Sequence, residues 1–139
     1  SLSHALVRFG CKLILSSPEL LRMPTEIIAD LREHGADVIE TEDLLGNIND
    51  ADVVYMTRIQ KERFETEEAY ESVKGSYVVD KEFMALAPED MIVLHPLPRV
   101  DEISTEVDSD PRAAYFRQME NGMFVRMALL ALVMGKPSP

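Results

Sequence analysis

Two patterns of hydrophobic and polar residues alternate along the chain. Short stretches rich in valine, leucine and isoleucine predict β-strands at 12–15, 36–40, 51–57, 77–79 and 91–94. Between them, apolar residues recur at every third or fourth position and predict helices at 1–9, 24–34, 42–48, 67–73 and 80–87, with a long helix from 112 to about 134. Strands separated by helices favour an α/β fold with a doubly wound, parallel sheet in three layers.

Local signals mark where several of these elements begin and end. Gly10 and Gly35 follow helical stretches and suit the left-handed conformation that ends a helix. Asp80 is placed to accept a hydrogen bond from the first turn of the helix after it. Asp110 and Pro111 favour the start of the long helix. The methionine-rich apolar face of that helix predicts a core or a domain-docking surface.

Composition indicates a single globular domain and limits the classes of partner that it can bind. The 139 residues, 46% of them hydrophobic, suffice for one compact domain with its own core. The only long apolar run has eight residues, 127–134, whereas a helix needs roughly 20 to cross a bilayer. The net charge of −11 opposes binding to nucleic acid. The single cysteine, Cys11, is expected to be a small apolar residue at a strand start. We therefore expect a cytoplasmic protein without membrane or nucleic-acid partners.

A charged segment, MTRIQKER, follows the strand at 51–57. In doubly wound sheets, ligands bind beyond the carboxyl ends of the strands. The guanidinium of Arg58 matches a carboxylate with two parallel hydrogen bonds, and Gln60 both donates and accepts. Glu62, four residues after Arg58, is placed to orient that guanidinium if the segment turns helically. The segment therefore fits an amino-acid site that grips carboxylates, and it also fits a solvated, charged loop.

A proline-rich segment, HPLPR, follows the strand at 91–94. Two prolines around one leucine predict a stiff turn, because each proline fixes its own φ and removes a backbone donor. Such a turn would present the carbonyls of Pro96 and Leu97 in fixed directions, and a cis bond before Pro98 costs little. His95 fits either a general base or a structural histidine. The turn also fits a rigid exit from the strand that binds nothing.

Cofactor and metal signals are absent from the sequence. It contains neither GxGxxG nor a P-loop, and its three histidines, His4, His34 and His95, are scattered. We therefore expect no nucleotide cofactor and no metal ion. From the residues alone, the chain is an α/β domain with a candidate anion site between two strand ends.

Three segments together carry a family resemblance. MTRIQKERF, HPLPRVDEI and DPRAAYFRQMENGMFVRMALLALV occur in this order, and with these distances between them the chain resembles the aspartate carbamoyltransferases from Ser1 to about Gly135. Ornithine carbamoyltransferases share the fold but typically carry HCLPR in place of HPLPR and lack the TRxQ segment, so ornithine is the weaker choice of substrate. The resemblance implies a Rossmann-like aspartate/ornithine carbamoyltransferase fold, here truncated at its N-terminus.

The resemblance also implies an activity. Enzymes of this family transfer a carbamoyl group from carbamoyl phosphate to the amine of L-aspartate, which gives N-carbamoyl-L-aspartate and phosphate and opens pyrimidine biosynthesis. Aspartate would bind to side chains of the first segment, and main-chain carbonyls of the second would accept hydrogen bonds from the carbamoyl group and the attacking amine. The implied substrate-binding residues are Arg58, Gln60, Pro96 and Leu97, with Thr57, Glu62 and Pro98 in support. No side chain is assigned as catalytic.

Compared with the family, the chain lacks the first strand of the domain, a GRTVH-like segment after it, and the whole domain that holds carbamoyl phosphate. We expect residues 1–111 to form the aspartate-binding domain and residues 112–139 to form a helix that packs toward the absent domain. The family implies a homotrimer through the full-length chain. The parent chain could be free-standing, fused to other pyrimidine enzymes or bound to a regulatory subunit. We expect the isolated chain to be inactive.

Two other interpretations stay open. The same fold could act on ornithine or another amino acid, or the chain could be a catalytically inactive, carbamoyltransferase-like domain that serves assembly or regulation. Substrate assays of the full-length protein separate these interpretations. Tyr70 and Asp101 are weaker candidates, for contacts that form when the two domains close.

Overall fold

Short strands alternate with helices along most of the chain. A computed structural model describes residues 2–135. Its strands are β1 (Leu13–Ser16), β2 (Val38–Thr41), β3 (Val53–Tyr55) and β4 (Ile92–Leu94). Its α-helices are α1 (Leu2–Val7), α2 (Thr25–Glu33), α3 (Glu67–Glu71), α4 (Lys81–Leu86) and α5 (Tyr115–Val133). Short 3-10 helices lie at Glu19–Leu21, Leu45–Asp50, Lys61–Arg63 and Thr105–Ser109. The predicted helix at 42–48 is therefore a 3-10 helix that begins three residues later.

The strands form two separate parallel pairs. β1 pairs with β2 from Leu13 opposite Val38, and β3 pairs with β4 from Val53 opposite Ile92. Parallel strands connected through helices confirm the predicted α/β class. Within residues 2–135, the parallel strands form two distinct sheets of two strands each. They stay separate because no described segment hydrogen-bonds to the second edge of β1 or of β3.

Each pair of strands has its own apolar core. The core beside β1 and β2 is small, and Cys11 packs against it as a partly buried residue, as the sequence predicts. Its buried members are Leu13, Ile28, Leu31 and Val38. The larger core lies beside β3 and β4. Its buried members are Ile48, Met56, Val79, Phe83, Met84, Ala87, Met91, Val93, Ile103, Val107, Ala113 and Tyr115. The ends of β3 and β4 therefore rest on the larger of the two cores.

The predicted strand at 77–79 is reduced to a single bridge. Val79 donates its N–H to the carbonyl of Glu102 and accepts from the N–H of Ser104, which pairs it with Ile103. The extended stretch ends there because Asp80 begins α4, where its carboxylate accepts the Phe83 N–H at 2.8 Å. The predicted cap at Asp80 is confirmed, and it is the reason that the strand is short.

The long helix begins later than predicted. Ala113 instead forms a single parallel bridge to Val93 of β4, in which Val93 donates to the Arg112 carbonyl and Ala114 donates to the Val93 carbonyl. The Asp110 carboxylate binds the backbone and guanidinium of Arg112 instead of capping a helix. Within Tyr115–Val133 only Tyr115 is buried, so most apolar side chains of α5 are exposed. Residues 136–139 of the predicted C-terminal segment, and Ser1 of the first predicted helix, lie outside the described residues. No helix within residues 2–135 has the length and hydropathy of a membrane span.

Candidate functional site

The two candidate segments leave the same edge of the β3–β4 pair. The pairing continues for one residue past β3, where Met56 donates to the Leu94 carbonyl at 2.9 Å. Beyond that point, one segment begins at Thr57 and the other at His95. This is the carboxyl end of two neighbouring parallel strands, where ligands bind in doubly wound folds. The two segments predicted to carry the site therefore begin at one edge of the same sheet.

Arg58 lies in the first segment with its side chain about one-third exposed (34%). The 3-10 helix Lys61–Arg63 brings Glu62 back to it, and both guanidinium NH2 groups of Arg58 donate to the Glu62 carboxylate. The pKa of Glu62 is lowered because its own backbone N–H and the Arg58 guanidinium stabilise the ionised form. The predicted contact between the two side chains is present. Arg58 is thus an accessible cation whose present partner is a carboxylate.

A cleft of about 100 Å³ adjoins Arg58. Thr57 and Arg58 line one part of it, and Tyr70, Tyr77 and Asp101 line another. The remaining predicted residues do not line this cleft. They are Gln60, Pro96, Leu97 and Pro98, while Glu62 contacts the cleft only through Arg58. In the described residues, the cleft is therefore one part of the predicted site and not the whole of it.

The turn at 96–98 has the stiff geometry that its prolines predict. The Leu97–Pro98 bond is cis, which the sequence allows, and Leu97 has φ +51°, a left-handed conformation that is uncommon for a leucine. Pro96 and Pro98 are exposed, and Leu97 is half-buried. Within residues 2–135, the carbonyls of Pro96 and Leu97 accept no hydrogen bond from the chain. Two acceptors on a rigid turn are thus free to bind a donor.

The sequence reasoning missed the residues that hold this turn. Glu102 accepts a hydrogen bond from the His95 ring at 2.7 Å, and the amide oxygen of Gln118 accepts the His95 backbone N–H at 2.9 Å. Gln118 also donates to the hydroxyl of Tyr55, at the end of β3, at 3.4 Å. The acidic run after HPLPRV could have suggested a partner for His95. No local pattern marks Gln118, which is 23 residues away in the chain.

Arg99, directly after the turn, is anchored in a second polar cluster. Its guanidinium binds both carboxylate oxygens of Asp108 and lies 5.7 Å from the centre of the Tyr115 ring. The Tyr115 hydroxyl donates to Asp108 at 2.5 Å. The Arg99 hydrogen bonds hold the pKa of Asp108 below its usual range. Burial, and then the neighbouring carboxylate, raises the pKa of Tyr115 to about 12. Both ends of the turn are therefore attached to α5, through Gln118 and Tyr115.

Comparison with known proteins gives the family. The model of the aspartate/ornithine carbamoyltransferase Asp/Orn-binding domain matches residues 1–133. The chain belongs to this family. The chain is 56% identical over 135 residues to the aspartate carbamoyltransferase catalytic subunit of Thermococcus kodakarensis. The matched region covers 97% of this chain and 44% of the Thermococcus protein. The chain is 52% identical to the multifunctional protein pyr1-3 of Dictyostelium discoideum, over 97% of this chain and 6% of that protein.

Solved structures agree with the sequence comparison. The Asp/Orn-binding domain is similar to aspartate transcarbamoylase from Trypanosoma cruzi in complex with carbamoyl phosphate and aspartate, with a TM-score of 0.77 and 45% identity. That match covers 86% of this chain and 40% of the Trypanosoma chain. The chain therefore spans less than half the length of the catalytic subunits that it matches. No group of three or more His, Cys, Asp and Glu side chains in the described part of the domain is arranged to hold a metal ion.

Proposed function

We propose that this chain is the aspartate-binding part of an aspartate carbamoyltransferase, which transfers a carbamoyl group from carbamoyl phosphate to L-aspartate in pyrimidine biosynthesis. The observation that carries the proposal is Arg58, an accessible guanidinium at the carboxyl end of β3 that already holds a carboxylate. The protein carries a net charge of −11, so a dicarboxylate substrate requires such a local cation. The Thermococcus and Trypanosoma relatives, by their names and bound molecules, support this substrate pair.

The proposed roles follow from what each group donates or accepts. Arg58 and Gln60 bind the carboxylates of aspartate, with Thr57 beside them. Glu62 releases Arg58 to the substrate, because one carboxylate then replaces another. The carbonyls of Pro96 and Leu97, on the turn that ends at Pro98, accept hydrogen bonds from the carbamoyl NH2 group and from the substrate amine. These residues are Thr57, Arg58, Gln60, Glu62, Pro96, Leu97 and Pro98.

The reaction then depends on position and charge rather than on a covalent enzyme intermediate. The neutral amine of aspartate attacks the carbamoyl carbon and forms the new C–N bond. The bond from that carbon to the phosphate oxygen breaks, its electron pair leaves with the phosphate, and the phosphate takes the proton that the amine loses. Fixed carbonyl acceptors orient the amine toward that carbon, which lowers the entropic cost of bringing two substrates together. Stabilising the leaving phosphate falls to groups outside this chain, in the proposed carbamoyl-phosphate domain.

The proposal includes the domain arrangement expected from the sequence. Residues 1–111 bind aspartate, and residues 112–139 carry the helix that packs toward the carbamoyl-phosphate domain. The exposed apolar side chains of α5, such as Leu130 at 63% and Leu132 at 69%, support a second surface against this helix. The full-length protein would be a cytoplasmic homotrimer, alone or with a regulatory subunit. The pyr1-3 relative, named a multifunctional protein, supports a fusion with other enzymes as another form.

Two other functions are outcomes of the same test. The matching family model covers ornithine as well as aspartate, so the same fold could serve an ornithine-type or other carbamoyltransferase. A catalytically inactive, carbamoyltransferase-like domain is the third candidate. Turnover of the full-length protein with aspartate but not ornithine would favour the proposal. Turnover with ornithine alone, or with neither amino acid, would contradict it.

Arg58→Ala in the full-length protein tests directly whether Arg58 binds the carboxylates of aspartate. We expect the KM for aspartate to rise roughly 100-fold, because a charged, two-pronged hydrogen bond is worth up to about 3 kcal/mol. The KM for carbamoyl phosphate should change little. Arg22→Ala is a matched control, since Arg22 is an exposed arginine paired with Glu42 near β2. Unchanged aspartate kinetics in Arg58→Ala would remove Arg58 from the site.

A further inference from the structure

His95 is a buried polar residue whose two ring nitrogens are both engaged. It is 1% exposed, at the end of β4 and directly before the 96–98 turn. Nδ1 accepts the backbone N–H of Leu97 at 2.8 Å, and Nε2 lies 2.7 Å from a carboxylate oxygen of Glu102. A buried polar group is stable only when it is paired. Here the pairing connects the strand end to the middle of the turn.

These two bonds define the tautomer of the imidazole. Because the backbone N–H of Leu97 can only donate, Nδ1 must accept and carries no proton. Nε2 then carries the proton and donates it to Glu102. Neither nitrogen is available to take a proton from a substrate amine while these bonds are in place. His95 is therefore not placed to act as a general base. Its role is structural, since its ring connects the Leu97 N–H to Glu102.

Glu102 is held as firmly as the ring that it binds. Its side chain is only 10% exposed. Besides the His95 ring, its carboxylate accepts the backbone N–H groups of Val100 and Asp101, both at 3.2 Å. The segment from 95 to 102 is thus closed on itself by side-chain hydrogen bonds. Such a closed network fixes one backbone arrangement of the turn, because each bond would be lost in another arrangement.

We propose that His95 and Glu102 are positioning residues for the carbonyls of Pro96 and Leu97. The His95 ring occupies the Leu97 N–H and holds Leu97 in its left-handed conformation, and Glu102 holds the ring in the tautomer that accepts. The turn thereby offers its carbonyls to the reacting nitrogen atoms. This inference rests on the proposed function, because it assigns a role within that site. Neither residue needs to contact a substrate for this role.

Replacing His95 by asparagine and by glutamine separates the two bonds. In His95→Asn, the side-chain oxygen occupies nearly the place of Nδ1 and can accept the Leu97 N–H, as asparagine does in many turns. In His95→Gln, the amide reaches toward the place of Nε2 and can donate to Glu102, but the Leu97 N–H loses its acceptor. Each variant keeps one bond of the two, so the pair is matched in its amide group and in the number of bonds lost.

The full-length protein is assayed for carbamoyl transfer to aspartate. We expect His95→Asn to keep kcat within about threefold of the unaltered protein, because the local turn bond is retained. In His95→Gln and His95→Ala we expect kcat to fall roughly 10- to 100-fold, since a buried N–H is left unpaired and the turn relaxes. The KM for aspartate should change little, because Arg58 still holds the carboxylates. His34→Asn and His34→Gln, at an exposed histidine near the end of α2, should match the unaltered protein.

The outcomes separate this inference from the function on which it rests. An unaltered protein without turnover on aspartate would overturn the proposed function. If the unaltered protein is active and His95→Gln has a kcat equal to or above that of His95→Asn, the inference alone is overturned. The same holds if the loss of kcat in each variant is proportional to its loss of thermal stability. A further readout needs no stable variant: nitrogen NMR of histidine-labelled, unaltered protein should show a His95 ring with its proton on Nε2. A proton on Nδ1 would overturn the inference.

Discussion

Tyr115 offers a quantitative test of the cluster that anchors the turn to α5. Its ring is fully buried, and its hydroxyl donates to Asp108, which also binds Arg99. Ionising this phenol would place a second negative charge beside the Asp108 carboxylate in a buried site. Burial and that carboxylate therefore raise the pKa from its ordinary 10.0 to about 12. Tyr115→Phe removes the ionisable group and keeps the ring.

The size and sign of the effect follow from linkage between ionisation and folding. The pKa is higher in the folded state than in the unfolded state, so the folded state keeps the proton longer. The resulting stabilisation is complete below pH 10 and is lost as the pH rises from 10 to about 12. Each pKa unit corresponds to about 1.4 kcal/mol, so the stabilisation that is lost amounts to roughly 2–3 kcal/mol. Tyr115→Phe has no such term in its free energy of unfolding.

Two measurements on the full-length protein check this expectation. Ultraviolet difference absorbance between the unaltered protein and Tyr115→Phe isolates the tyrosinate signal of Tyr115, which should appear well above pH 10. Hydrogen exchange at the amides of Arg99 and Asp108, in both proteins, should show a protection difference that narrows as the pH rises above 10. A Tyr115 signal with its midpoint near pH 10 would refute the reasoning, because the phenol would then be neither desolvated nor bound to a carboxylate.

Two further predictions concern the cap of α4 and the proposed carbamoyl-phosphate site. Asp80→Ala should lower the free energy of unfolding by about 1 kcal/mol, because it removes the acceptor of the Phe83 N–H. Asp80→Asn should lower it by only about a few tenths of a kcal/mol, because asparagine also accepts this bond. Urea unfolding measures both, and equal stability of the alanine and asparagine variants would contradict the cap. The isolated chain of residues 1–139 should show no carbamoyl transfer to aspartate at substrate concentrations that saturate the full-length protein. Steady turnover by it would contradict the proposal that the carbamoyl-phosphate site lies elsewhere.

Local signals in the sequence predicted what local chemistry decides. The cap at Asp80 and the helix stop at Gly35, with φ +82°, both depend on a residue and its immediate neighbours. The prediction placed β3 within two residues at each end, and it missed only the start of β4, by one residue, because a buried strand carries a dense apolar signal. The contact of Arg58 with Glu62 was also predicted, because side chains four residues apart lie close together on a helical turn.

Features that depend on distant parts of the chain were missed. The start of the long helix was placed at 112 because Asp110 and Pro111 resemble a helix start, but Ala113 forms a bridge to β4 and the helix begins at Tyr115. The contact of His95 with Gln118 joins a strand end to a helix 23 residues later, and no periodicity encodes such a pairing. The division into two sheets was missed for the same reason, since an apolar stretch predicts a strand but not its neighbours.

The separate cores beside the two strand pairs have a consequence for how the molecule opens. Cooperative unfolding requires elements that share buried contacts. The core beside β1 and β2 contains four buried residues, whereas the core beside β3 and β4 contains twelve. Amide protons of α2, β1 and β2 should therefore exchange with solvent sooner than those of β3, α4 and β4. The part around β3 and β4, which carries the proline turn and Arg58, would therefore stay folded while the part around β1 and β2 transiently unfolds.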